Sequence, residues 1–201
     1  MRNSSLMEVV SAQMEAVLVP YGFQANGRLF RLRSSLGDWL VVDLQPSDGS
    51  IPERPRFFIN VGFTLWSRWS WDRSYFNLAE APKVEECIWK TRVRPEPANG
   101  SSRWEMRPGP AAEAVLEALA RVLDREVGGF VRLLDRSFLR DLVDQELGLD
   151  YATWQVKAWL LAEEGRVDEL EEFLNSMEAE DGDPLFEAMR ELAYSKGDSS
   201  S

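Results

Sequence analysis

The sequence contains no histidine. That absence removes Ser-His-Asp and Cys-His nucleophilic catalysis, histidine-ligated zinc and imidazole pH switching. One cysteine, Cys87, leaves no internal disulfide and no multi-cysteine metal site. No apolar run approaches the roughly 18 residues of a membrane span. The opening stretch MRNSSLMEVVSAQ has one Arg and no continuous apolar segment, so it does not read as a secretory signal. Neither glycine-rich phosphate pattern, G-x-x-x-x-G-K-S/T or G-x-G-x-x-G, is present. The simplest expectation is a cytoplasmic protein with no cofactor, no metal site and no catalytic residues of a familiar kind. What remains open is carboxylate chemistry, a Lys or Tyr base, an oxygen-ligated cation, or binding alone.

What is present is ordinary in amount and uneven in placement. The 201 residues suit one large domain, or one domain with a helical appendage, and 44% hydrophobic with 28% charged residues argues against global disorder. Residues 1–110 hold 14 Lys+Arg against 12 Asp+Glu, a net of +2; residues 111–201 hold 9 against 22, a net of −13. An acidic half disfavours phosphate backbones and anionic membranes and draws in a basic partner.

Ser5 and Glu8 have capping-box spacing, and Met7, Val10, Met14, Val17 and Leu18 follow at helical spacing until Pro20. Three strand-like runs come next. Arg28–Arg33 places Phe30 and Leu32 on one face; Trp39–Gln45 places Leu40, Val42 and Leu44 there. Phe57–Trp66 continues the same face with Phe57, Ile59, Val61, Phe63 and Leu65. The other face mixes Arg31, Arg33, Trp39, Asp43, Gln45, Asn60 and Trp66, and one-sided alternation of this kind favours an antiparallel sheet. The stretch 67–100 reads as loop-rich, with a short helix or strand near 85–94, and RWEMR at 103–107 reads as a further strand. From Ala111 the composition turns helical. The spacing predicts a helix broken at Gly128-Gly129, a second ending at Leu147-Gly148, a third capped by Asp150 and Gly165, a fourth over Val167–Met177, and a fifth starting at Asp183-Pro184. The fold class is therefore α+β: an antiparallel sheet packed on an N-terminal helix, then an all-helical segment. The expected divisions are an α+β domain over 1–147, an acidic helical appendage over 148–195 and a disordered tail over 196–201.

Two groups of residues are candidates for function. The first is an aromatic and basic set on the second sheet face and its rim: Arg31, Arg33, Trp39, Gln45, Asn60, Trp66, Arg68, Trp69 and Trp71, with Arg73 beside them. Trp with Arg is the composition of interaction hot spots, and it also suits base stacking or sugar rings. The competing reading is that the C-terminal helices cover this face. The second group is acidic: Glu163, Glu164, Asp168, Glu171 and Glu172, a surface for a basic partner or a plain solvated helix face. Asn60 and Gly62 are unusual inside a strand. The glycine permits a bulge or the close approach of another backbone, and the amide needs partners if buried. Cys87 adjoins Glu85 and Glu86, whose charge disfavours a reactive thiolate.

Several short motifs run in a familiar order: Gly22-Phe23, GRLFRLR, VVDLQPS at Val41–Ser47, FFINVG at Phe57–Gly62, CIWKTRV at Cys87–Val93 and RWEM at Arg103–Met106. Over roughly residues 5–140 the chain resembles the bacterial domain of unknown function 4304. The resemblance implies an α+β domain with an antiparallel sheet, and it brings no activity and no catalytic residues. The acidic helices after about Leu147 lie outside it.

The expected function is a non-enzymatic protein-interaction protein, of the immunity type that neutralises a basic protein partner. The alternatives are a ligand- or nucleic-acid-binding module using the Arg/Trp face, and a carboxylate- and cation-dependent enzyme. A membrane partner is not expected, and the acidity weighs against nucleic acid.

Overall fold

Alternation in the first half of the chain builds a sheet, helical periodicity in the second builds a bundle, and contacts sort the residues into two units. The computed structural model describes residues 5–96, 101–177 and 182–197. One unit comprises Met1–Thr64 and Ala81–Asp135, the other Leu65–Glu80 and Arg136–Ser201.

The first unit is the α+β one. Helix α1 (Leu6–Leu18) opens with the capping box: Ser5 Oγ accepts from the Glu8 amide at 3.3 Å, and the Glu8 carboxylate accepts from the Ser5 amide at 2.7 Å. Strands β1 (Gln24–Asn26), β2 (Leu29–Arg33), β3 (Trp39–Pro46), β4 (Arg56–Thr64) and β5 (Trp89–Val93) follow as an antiparallel meander in chain order. Strand β6 (Trp104–Glu105) pairs with β4 at Arg56 and Phe57, next to the stretch that β5 occupies. The expected antiparallel sheet is present, and RWEMR does supply a strand.

Register aligns the apolar residues in rows. Phe30 stands opposite Val42 and Val42 opposite Val61; Leu40 stands opposite Phe63, and Leu44 opposite Ile59. All of these are buried, each worth roughly 1.5–3 kcal/mol of transfer free energy. Helix α3 (Pro110–Val131), which packs on α1, reaches the same face: Phe130 meets Trp89 edge-on at 5.6 Å, and Trp89 lies opposite Phe63. Trp104 stacks on Phe57 at 6.3 Å and donates Nε1–H to the Val93 carbonyl at 3.0 Å.

The helical unit holds α2 (Trp66–Phe76), α4 (Arg136–Asp144), α5 (Thr153–Glu163), α6 (Val167–Ser176) and α7 (Pro184–Gly197). Helix α5 is its centre. Val156, Ala158, Trp159, Leu160, Leu161 and Ala162 bury nearly its whole circumference, and it touches α2, α4, α6 and α7. Gly165 ends α5 at φ +67°, and a Cβ there would stand 2.8 Å from the Gly197 backbone nitrogen, so glycine is required on two counts. Asp183 caps α7 as expected, its carboxylate accepting from the Leu185 amide at 2.8 Å.

The structure departs from several expectations. Strand β4 stops at Thr64, and Leu65 becomes the N-cap of α2, so Trp66 is helical and not on a sheet face. The supposed loop after it is helix α2. Weak in propensity, it is held by the buried Trp69 and by the Arg68–Asp72 pair one turn apart, and Asn77 closes it at φ +53°. Gly128-Gly129 does not break α3; the break comes at the 3-10 turn Arg132–Leu134, after the Tyr21 hydroxyl has packed 3.7 Å from where a Gly128 Cβ would be. By contacts the units divide at Asp135, and α2, which lies inside the stretch 1–147, belongs to the second. In the tail, Lys196 and Gly197 complete α7, and 198–201 lie outside the described residues.

Candidate functional site

The second face of the sheet is also organised in rows. One runs Arg31, Val41, Gly62 and Lys90 across β2, β3, β4 and β5; the next runs Leu29, Asp43, Asn60 and Arg92. The chain itself covers the Gly62 row. A Cβ on Gly62 would fall 2.8 Å from Cys87 Sγ and 3.2 Å from the Val84 Cα, so the absence of a side chain lets the 3-10 turn Val84–Glu86 lie against the strand. Val41, Val84 and Cys87 form a small apolar cluster with Leu29 and Trp39 packed on it, and Arg31 Nε donates to the Pro82 carbonyl at 2.8 Å. Cys87 is buried inside, its Sγ within 3.3 Å of the Lys83 carbonyl. Its thiol pKa is pushed far up, chiefly by burial; Glu86 and Glu85, the cause expected from the sequence, add only a smaller part.

The Asn60 row stays open from Asp43 to Arg92. It floors a cavity of about 770 Å³ whose polar walls include Gln45, Asp43, Lys90, Arg92, Arg94 and Ser102. Asn60 is the hub. Its Nδ2 donates to Gln45 Oε1 at 2.8 Å, and its Oδ1 accepts from Arg92 Nε at 3.0 Å. The Arg92 guanidinium carbon also sits 4.3 Å from the centroid of the Phe58 ring. A ring beneath and an amide beside thus fix the plane of an exposed cation. Asp43, half-buried next in the row, has its carboxyl pushed above the ordinary range by burial; a hydrogen bond with Asn60 opposes the shift and Glu85 adds to it.

Residues 14–132 match the family model described as Domain of unknown function (DUF4304). The chain belongs to the DUF4304 family. No curated protein and no solved structure matches it. In this DUF4304 chain the matched segment contains every lining residue of the groove, whereas α4 to α7 follow it.

Of the nine aromatic and basic candidates, only Gln45 and Asn60 line the groove. Arg31 is bonded to the chain's own loop, and Arg33 stacks over Trp39 at 5.1 Å. Trp66, Arg68, Trp69 and Trp71 sit together on α2, in the other unit. There Trp69 is buried and donates to the Glu80 carbonyl, and Arg68 bridges Asp72 at 2.7 Å and Gln155 Oε1 at 3.0 Å. Trp71 stacks on Tyr75 at 5.0 Å. The sequence reading missed Lys90, Arg92 and Arg94. Their signal is the period-two alternation of cations along β5, hidden inside a stretch read as mostly loop.

The acidic candidates divide as well. Glu163 pairs with Arg136 at 2.8 Å, Glu164 with Arg140, and Glu171 with Arg190 at 3.1 Å. Asp168 and Glu172 are exposed. Much of this acidity is therefore matched within the helical unit. Among the described residues no helix is long and apolar enough to cross a membrane.

Proposed function

We propose that this DUF4304 protein works by binding, not by catalysis, and that its binding surface is the groove on the polar face of the sheet. The observation that carries the reading is Arg92. Holding a guanidinium over a ring and against an oriented amide costs the chain conformational freedom, and Asn60 in mid-strand has no packing role that an apolar residue would not fill better. Such preorganisation lowers the entropy lost when an anion docks.

A second reading keeps the basic protein partner, as for an immunity-type protein. It is supported by the net −13 of residues 111–201 and by the exposed Asp168 and Glu172. The pairing of Glu163, Glu164 and Glu171 with arginines of the same unit takes support away from it. A cytoplasmic setting belongs to either proposal and is supported by the single, buried cysteine.

One ligand screen separates the readings. Ligand-observed NMR is run on the wild type and on Arg92→Glu, with circular dichroism confirming that the variant is folded. Groove binding predicts ligands that the variant loses. Binders retained equally by both proteins, basic proteins among them, move the function away from the groove and overturn the first reading; so does a screen with no Arg92-dependent binder.

A further inference from the structure

The groove's cations stand in a line. Lys90 and Arg92 alternate along β5 and Arg94 follows directly after it, so the period of two sets neighbours about 7 Å apart on one face. Against these three cations the groove sets two carboxylates, Asp43 and Glu85, a surplus of one positive charge. Arg92 spends Nε on Asn60, and its two terminal amino groups make no hydrogen bond among the described residues. Lys90 gives one of its three N–H groups to the Glu85 carbonyl at 3.2 Å.

From this arrangement we infer that the groove takes a small organic phosphate, a phosphate monoester on a polar body. The inference rests on the groove being the binding surface. A carboxylate has two oxygens and one arginine fork satisfies it. A phosphate monoester presents three oxygens, which can meet the Arg92 fork and a neighbouring cation together. The cavity of about 770 Å³ is far larger than a phosphate group needs and falls in the usual range for metabolite-sized ligands. Asp43, Gln45 and Ser102 offer acceptors and donors for hydroxyl or amino groups on that body. Single-stranded nucleic acid fits less well, because it needs exposed rings for stacking. Here Phe58 is occupied by Arg92, and Trp39 is packed on the Cys87 cluster. Asn60 acts through Arg92 and is a positioning residue.

The test is calorimetric titration of the full chain with adenosine monophosphate, glucose 6-phosphate, adenosine, glucose and inorganic phosphate. At least one ester binds, and its parent without phosphate binds at least about tenfold more weakly. Arg92→Ala loses at least about tenfold in affinity for the ester. Asn60→Ala also weakens binding while its melting temperature holds, and it shifts the Arg92 Nε–H NMR resonance, which a merely structural role would not move. The better of the two esters tells a nucleotide from a sugar phosphate. Equal binding of ester and parent, unchanged binding by Arg92→Ala, or inorganic phosphate binding as tightly as either ester overturns the inference. If an Arg92-dependent ligand without phosphate is found instead, the groove stands and the phosphate falls. If no ligand depends on Arg92, both fall.

Discussion

On one face of the sheet Phe30, Val42 and Val61 stand in a row; on the other, offset by one residue on each strand, Arg31, Val41 and Gly62 do the same. The strands are shared, yet the two faces are closed differently. The first is closed by side-chain volume beneath the α1–α3 layer, and the second by backbone at a glycine, with an open groove beside it. On the first face a residue is replaceable by anything of similar shape. On the second the residues are not interchangeable. Gly62 gives room, Asn60 orients and Arg92 presents charge. Even the two-residue strand β6 follows the division. Trp104 stacks on the apolar face, and Glu105 on the polar one gathers Arg54 at 2.6 Å, Arg56 at 3.0 Å and Arg107 at 3.1 Å.

The contrast can be broken at three depths. Phe63→Ala on the apolar face should cost the most, about 3–5 kcal/mol by urea unfolding, because it leaves a cavity in a buried row. A loss under about 1 kcal/mol would mean that this face is not the core. Gly62→Ala, the adjacent residue, adds atoms instead of removing them and should cost about 1–3 kcal/mol. Cys87→Ala in the same chain should recover part of that loss, since Cys87 Sγ is the nearest atom to the new methyl group. Additive costs in the double variant would deny the contact. Glu105→Gln should have the smallest effect, one that is present at neutral pH and disappears in acid. Arg54 first, then Arg107 and Arg56, hold the Glu105 carboxyl at about 2, against 4.5 ordinarily. A depressed folded-state pKa stabilises above the unfolded value and loses that benefit as pH falls from about 4.5 to about 2. Melting temperatures followed down that range should fall more steeply for the wild type than for Glu105→Gln; parallel curves would remove the ion cluster from the account.

The apolar face was legible because alternation is a local property: Phe30, Leu40, Val42, Ile59 and Val61 declare their side within each strand, and register only had to align them. The capping box, the Asp183 cap and Gly165 were legible for the same reason. The groove was half legible. Asn60 and Gly62 stood out as misfits in a strand, and of the two readings offered for Gly62 the close approach of another backbone is the one realised. Arg92 did not stand out, since an arginine gains its meaning from the ring and amide that pairing brings beside it. Helix α2 was misread because WSRWSWDRSYF carries no strong helical stripe and follows a strand without a glycine or proline stop. Its helicity is set by tertiary contacts with α5, which no local window contains.

That α2 belongs with helices encoded far downstream has a consequence for biosynthesis. Domains fold largely as they emerge, the N-terminal one first. Here a segment between β4 and β5 must wait for α5 before it can pack. Strand β5, which carries the cations of the groove, lies on the far side of that waiting segment from the strand it pairs with. The nascent sheet must therefore pair β4 with β5 across an unpacked α2 segment, and Trp69, buried in the folded protein, stays exposed until α5 arrives, which makes this interval the one in which a chaperone has most to hold.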